Sequence, residues 1–106
     1  MLTPVLPMAA LVEGDKTLIR VNTNAGVLEI LVGMIEGRYF AVQARCSHAG
    51  QSLANGRIVG DEITCPRHGA RFCVFSGACT GAPATQPIAS FPVLLEAGKV
   101  CLNIEH

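Results

Sequence analysis

Residues 46–68 read C-S-H-A-G-Q-S-L-A-N-G-R-I-V-G-D-E-I-T-C-P-R-H and decide how the rest of the chain is read. They hold two short Cys/His pairs, Cys46 with His48 and Cys65 with His68. A Cys and a His two or three positions apart on a tight loop can point at one site. The chain has 3 His, and two of them fall in these matching pairs, so a shared metal centre is the natural reading. Four such ligands have two main uses. One is a tetrahedral zinc site, whose usual order groups Cys with Cys and His with His. The other is a [2Fe–2S] centre in which two His replace two Cys on one iron. The mixed pairs fit the second arrangement, with each loop giving one thiolate and one imidazole.

The wider pattern adds to this. C-S-H-A-G at 46–50, C-P-R-H-G-A-R-F-C-V at 65–74 and G-A-P-A-T-Q-P-I-A-S-F-P-V at 81–93 resemble the Rieske ferredoxins that serve bacterial ring-hydroxylating oxygenases. The resemblance runs from about residue 37 to about residue 93. It implies that Cys46 and Cys65 bind one iron and His48 and His68 the other. It also implies an all-β Rieske fold: an antiparallel β-sandwich base with a small cluster-binding subdomain, about residues 44–84, inserted in a single domain. The expected role is that of a monomeric electron carrier. It would take electrons from an NAD(P)H-dependent flavoprotein ferredoxin reductase and pass them to a terminal oxygenase, without being an enzyme itself. Two other readings remain open: the Rieske-type small subunit of an assimilatory nitrite reductase, and a zinc-stabilised interaction module. Gly81 and Pro83 resemble the family's Pro-containing loop over the cluster.

The resemblance also bears on redox potential. A cluster with two ferric ions, two sulfides, two thiolates and two neutral imidazoles has a formal charge of about zero, against about −2 with four thiolates. It therefore accepts an electron more readily, and such centres span roughly −150 to +300 mV. High-potential relatives carry hydroxyl donors where this chain has Ala70 and Phe72, and an extra disulfide where it has Gln51 and Arg67. All four departures point to the low end of that range.

Composition agrees with a carrier. A length of 106 residues is one domain. Its formal charge of zero lacks the basic footprint of a nucleic-acid binder. The apolar start holds Pro4 and Pro7 and no basic residue, so it reads as neither signal peptide nor membrane span, and a cytoplasmic protein is expected. Five Cys without an export signal argue for metal binding rather than disulfides. Cys73 and Cys101 sit in apolar runs and read as buried thiols, and Cys79 as a more exposed one; none is given a role. His106 reads as inert, and Asp61 with Glu62 as a solvated turn.

Short strands between turn signals give the all-β assignment. Strands are expected at 16–22, 27–35, 38–44, 57–59, 62–64, 70–75, 89–95 and 99–104. Residues 1–16 read as a lead-in, 51–54 as one helical turn, and 81–87 as irregular. Charge is unevenly divided. Residues 44–84 carry a formal +2 from Arg45, Arg57, Arg67 and Arg71 against Asp61 and Glu62, and the remainder carries −2. That imbalance predicts steering of an acidic partner toward the ligand loops.

Overall fold

The computed structural model describes residues 2–47, 50–67, 69–82 and 86–104. Among the described residues, ten strands form three antiparallel sheets and there is no α-helix. The central ribbon is β2 (Lys16–Thr23), β3 (Gly26–Ile35) and β4 (Arg38–Gln43), paired in that order. The β3–β4 turn places Glu36 and Gly37 at φ 52° and 75°, the primed geometry that matches strand twist. A non-glycine residue is tolerated there because the Glu13 carboxylate accepts both turn N–H groups.

Residues 27–35 and 38–44 are apolar without clean alternation, and the packing explains why. Along β3, Leu31 faces one hydrophobic core while Ile30 and Val32 face another. Along β4, Phe40 and Val42 share the core of Leu31, and Ala41 shares that of Ile30. The pairs Leu31↔Val42 and Val32↔Ala41 keep each face in register. The ribbon is thus a partition with a core on either side, and a strand buried on both faces needs apolar residues at successive positions.

On one side lies the base sheet, β1 (Leu2–Pro7), β10 (Lys99–Asn103) and β9 (Val93–Glu96). On the other lies a smaller sheet of β5 (Arg57–Val59), β6 (Glu62–Thr64), β7 (Arg71–Cys73) and β8 (Cys79–Gly81). The inner face of the smaller sheet, Ile63 and Phe72, packs on Phe40, Val42 and Leu31.

The expected strands are found, with differences that have physical causes. Residues 2–7 are a strand and not a lead-in; β1 lies at the edge of its sheet, where Pro4 and Pro7 need not donate to a further neighbour. The run 89–95 is divided. Ala89 and Phe91 bond to Gln43 and Ala41 of β4, Pro92 interrupts, and β9 then pairs with β10. Residues 51–54 form no helical turn: Leu53 N–H donates to the Ala44 carbonyl and Ser52 bridges Arg45. The strand expected at 70–75 stops at Cys73, where a loop turns the chain into β8, a strand not expected and ending where the irregular stretch 81–87 was read to begin.

Candidate metal centre

Cys46 and Cys65 open loops of one construction. Cys46 N–H donates to the Gln51 carbonyl at 2.8 Å, and Gly50 N–H donates back to the Cys46 carbonyl at 2.9 Å. In the second loop Cys65 N–H donates to Ala70 at 2.7 Å, and Gly69 N–H to Cys65 at 3.0 Å. The fifth residue of each loop, Gly50 and Gly69, has φ 69° and 79°, a left-handed conformation that costs glycine little. A third loop repeats the pattern: Cys73 N–H donates to Ala78 at 2.9 Å and Gly77 N–H to Cys73 at 2.8 Å, with Gly77 at φ 80°. This loop lies at the far end of β7, where Val74 N–H donates to Asp61 of the β5–β6 turn. The spacing Cys-x-x-x-Gly therefore encodes a hairpin loop, not a ligand. The histidine inside the loop is what separates the first two loops from the third.

Each ligand loop is set by its neighbours. β4 delivers the chain to Cys46, and the Leu53 to Ala44 bond closes the first loop at its base. The Arg45 guanidinium meets Glu29 of β3 at 2.8 Å and donates to the Gly50 carbonyl at 3.0 Å, tying the loop to the ribbon. Ser47 Oγ donates to the Gln86 carbonyl at 2.6 Å, joining the loop to the chain after β8. The second loop springs from β6 and returns through Ala70 into β7. Both cysteines end in the same core as Leu53, Ala70 and Phe72, at 3% and 2% exposure.

Of the four expected ligands, Cys46 and Cys65 are thus brought into one buried cluster. His48 and His68 lie outside the described residues, as do Pro83 and His106. The thiol half of the donor set fits an iron–sulfur centre: two buried cysteines offered by equivalent loops from one core. Among the described residues no charged or polar side chain is buried. Cys101 is buried and Cys79 is partly exposed, as expected, while Cys73, expected to be buried, is only partly so because it shares the outer face of its sheet with Val59 and Glu62. The Glu29–Arg45–Gly50 clamp was not foreseen. Its sequence signal, an acid on one strand and an arginine just before Cys46, is common and carries no register without the pairing of β3 and β4.

Two buried thiols on matched hairpin loops in an all-β frame, each followed in sequence by a histidine, are the donor types that a loop-held metal centre would use. The chain belongs to the Rieske [2Fe–2S] domain family, whose profile matches residues 2–92. The centre that this family holds is a [2Fe–2S] cluster. The chain is 32% identical over 99 residues to the 3-phenylpropionate/cinnamic acid dioxygenase ferredoxin subunit of Escherichia coli (strain K12), covering 92% of this chain and 89% of that one. Its fold superposes on the Sphingomonas yanoikuyae B1 ferredoxin with a TM-score of 0.87 at 26% identity, over 96% and 97% of the two chains. A carbazole 1,9a-dioxygenase structure, a complex of reduced oxygenase and oxidised ferredoxin, gives a TM-score of 0.86 at 29% identity, over 98% of this chain and 94% of that one.

Proposed function

We propose that this protein is the ferredoxin component of an aromatic-ring dioxygenase system, an electron carrier and not itself an enzyme. The observation that carries this is end-to-end similarity to dioxygenase ferredoxins, over 92% of this chain and 89% of the relative. The cluster supplies a one-electron couple when bound. In this reading Cys46 and Cys65 hold one iron and His48 and His68 the other, within a ligand-bearing unit of about residues 44–84. The chain's own part is to bury the thiols, to fix the loops through the Cys-x-x-x-Gly bonds and the Arg45 clamp, and to exclude water behind them with Ala70, Leu53 and Phe72. Its recipient is a terminal oxygenase. Its donor is an NAD(P)H-dependent flavoprotein reductase, and its compartment is the cytoplasm, in keeping with the absence, among the described residues, of any helix long and apolar enough to cross a membrane.

The test begins with the purified protein. It should contain about two irons per chain, as a [2Fe–2S] centre requires, and give an EPR signal on reduction. Cys46→Ser and Cys65→Ser should each lose most of the iron and destabilise the fold, since metal binding and folding are coupled. Unaltered EPR in His48→Ala or His68→Ala would refute the ligand assignment. Failure of the reduced protein to pass electrons to any dioxygenase oxygenase would refute the role.

A further inference from the structure

The smaller sheet has a buried inner face and an exposed outer one, and the outer face has a charge pattern of its own. The pairs Arg57↔Thr64 and Thr64↔Arg71 place two exposed arginines on either side of the residue before Cys65. Arg67, also exposed, lies within the Cys65 loop itself. The next row along the same face is Val59, Glu62 and Cys73, farther from that loop by two residues of β6, or about 7 Å. Positive charge is therefore gathered at the ligand-loop end.

The expectation from sequence counted Arg45 among these charges, and the structure removes it. Arg45 is bound to Glu29, which also takes Arg20 at 3.1 Å. Arg57, Arg67 and Arg71 form no ion pair with any described residue. Arg71 is also positioned. A Cβ at Gly81 would stand 2.6 Å from Arg71 Nε and 3.1 Å from its Cβ. The arginine stem thus lies across β8 in space that only glycine leaves open.

In a chain of zero net charge, three unpaired guanidinium groups beside one loop constitute a recognition surface for carboxylates. We propose that the outer face of the smaller sheet at the Cys65 end, with Arg57 and Arg71, together with Arg67 of the adjoining loop, docks an acidic face of the terminal oxygenase. The proposal rests on the ferredoxin reading above and gives the chemistry of its recipient. Carboxylates opposite these arginines set the approach of the two proteins and bring the Cys65 loop against the oxygenase. Such charges act mainly on the encounter rate, and salt weakens them as the Debye length falls from about 10 Å at 0.1 M to about 3 Å at 1 M.

The experiment measures the second-order rate at which the reduced holoprotein reduces its cognate oxygenase, and the affinity of the two, between low and high salt. Arg57→Glu, Arg67→Glu and Arg71→Glu should each slow reduction about threefold to tenfold at low salt, with the difference vanishing near 1 M. Visible and EPR spectra of the variants should match wild type. Lys99→Glu, the same charge change on the base sheet, should have little effect. Gly81→Ala adds no charge but displaces Arg71, and it should reproduce part of the Arg71→Glu loss. A rate indifferent to salt and to all three reversals overturns the proposal while leaving the ferredoxin role intact, as does an equal loss in Lys99→Glu. A loss confined to reaction with the reductase overturns the assignment to the oxygenase. No electron transfer from wild type at any salt overturns the ferredoxin reading and the docking face with it.

Discussion

Ala70 shows how much one side chain can set at this centre. Its carbonyl accepts the Cys65 N–H, and its methyl group is fully buried in the core that holds both cysteines. A serine there adds a hydroxyl that must find an acceptor, and an unsatisfied buried hydroxyl costs about 1–3 kcal/mol. If the hydroxyl meets a cluster sulfur, Ala70→Ser should raise the reduction potential and leave stability almost unchanged. If the potential stays fixed while stability falls by that amount, the hydroxyl points elsewhere. Redox titration and thermal denaturation of the same sample separate the two outcomes. Phe72, also fully buried, has less room to change: Phe72→Tyr must place a phenolic oxygen in the same core. The wild-type potential should lie low in the class range, and a midpoint above about +100 mV would contradict that. Residue chemistry of this kind was legible from sequence, because thiols, imidazoles and missing hydroxyls are identities. The loop geometry behind Cys73 was not, because a hydrogen-bond pattern becomes visible only when the backbone is.

Elements place the loops, and two kinds of force share that work. Fully burying a side chain such as Phe72 contributes about 1.5–3 kcal/mol, whereas an exposed ion pair contributes about 0–1 kcal/mol. The core therefore holds the smaller sheet against the ribbon, and the Glu29–Arg45 pair, with side chains 18% and 54% exposed, holds only the first loop. Glu29→Gln should change global stability by no more than about 1 kcal/mol. It should nevertheless speed iron release to a chelator severalfold, because Arg45 loses the anchor from which it grips the Gly50 carbonyl. Equal release rates in the two proteins would show that the clamp does not restrain the loop. The same scale explains which strands could be read ahead of the structure. β2, β3 and β4 announce themselves through aliphatic runs and turn residues. β1 carries two prolines and β8 a glycine, and both are strands because a neighbour pairs with them, not because their residues prefer it. The run 89–95 looked continuous because Pro92 marks a change of partner, and partners are a tertiary property.

At the scale of the whole molecule, the ribbon separates two cores that differ in how they are supported. The base core is bounded by β2 and β3, of 8 and 10 residues, and by the sheet of β1, β10 and β9. The core around the cysteines is closed by β5, β6, β7 and β8, each of 3 residues. Strands so short are marginal without further support. Two loops drawn to one metal centre would provide it, since binding free energy at such a site is also folding free energy. The resemblance implied a base with a smaller inserted unit, but the place of the ribbon between two cores was not readable in advance. The sequence shows that β3 and β4 are apolar on both faces, but not which neighbour covers each face. The prediction is that removing iron leaves half of the molecule ordered. In the apoprotein, amides of β5 to β8 and of residues 50–53 should lose hydrogen-exchange protection, while those of β2, β3 and β10 keep most of theirs. Exposing Leu31, Phe40 and Val42 limits how far the opening goes, because each costs about 1.5–3 kcal/mol once uncovered. Partial retention of compactness around the ribbon is therefore expected, with local and not global unfolding. Simultaneous loss of protection in both halves would mean that the two cores form one cooperative unit and that the ribbon transmits the collapse of one to the other. Full protection everywhere would mean that the small sheet holds itself together, and that the cluster adds redox chemistry to a fold that does not need it.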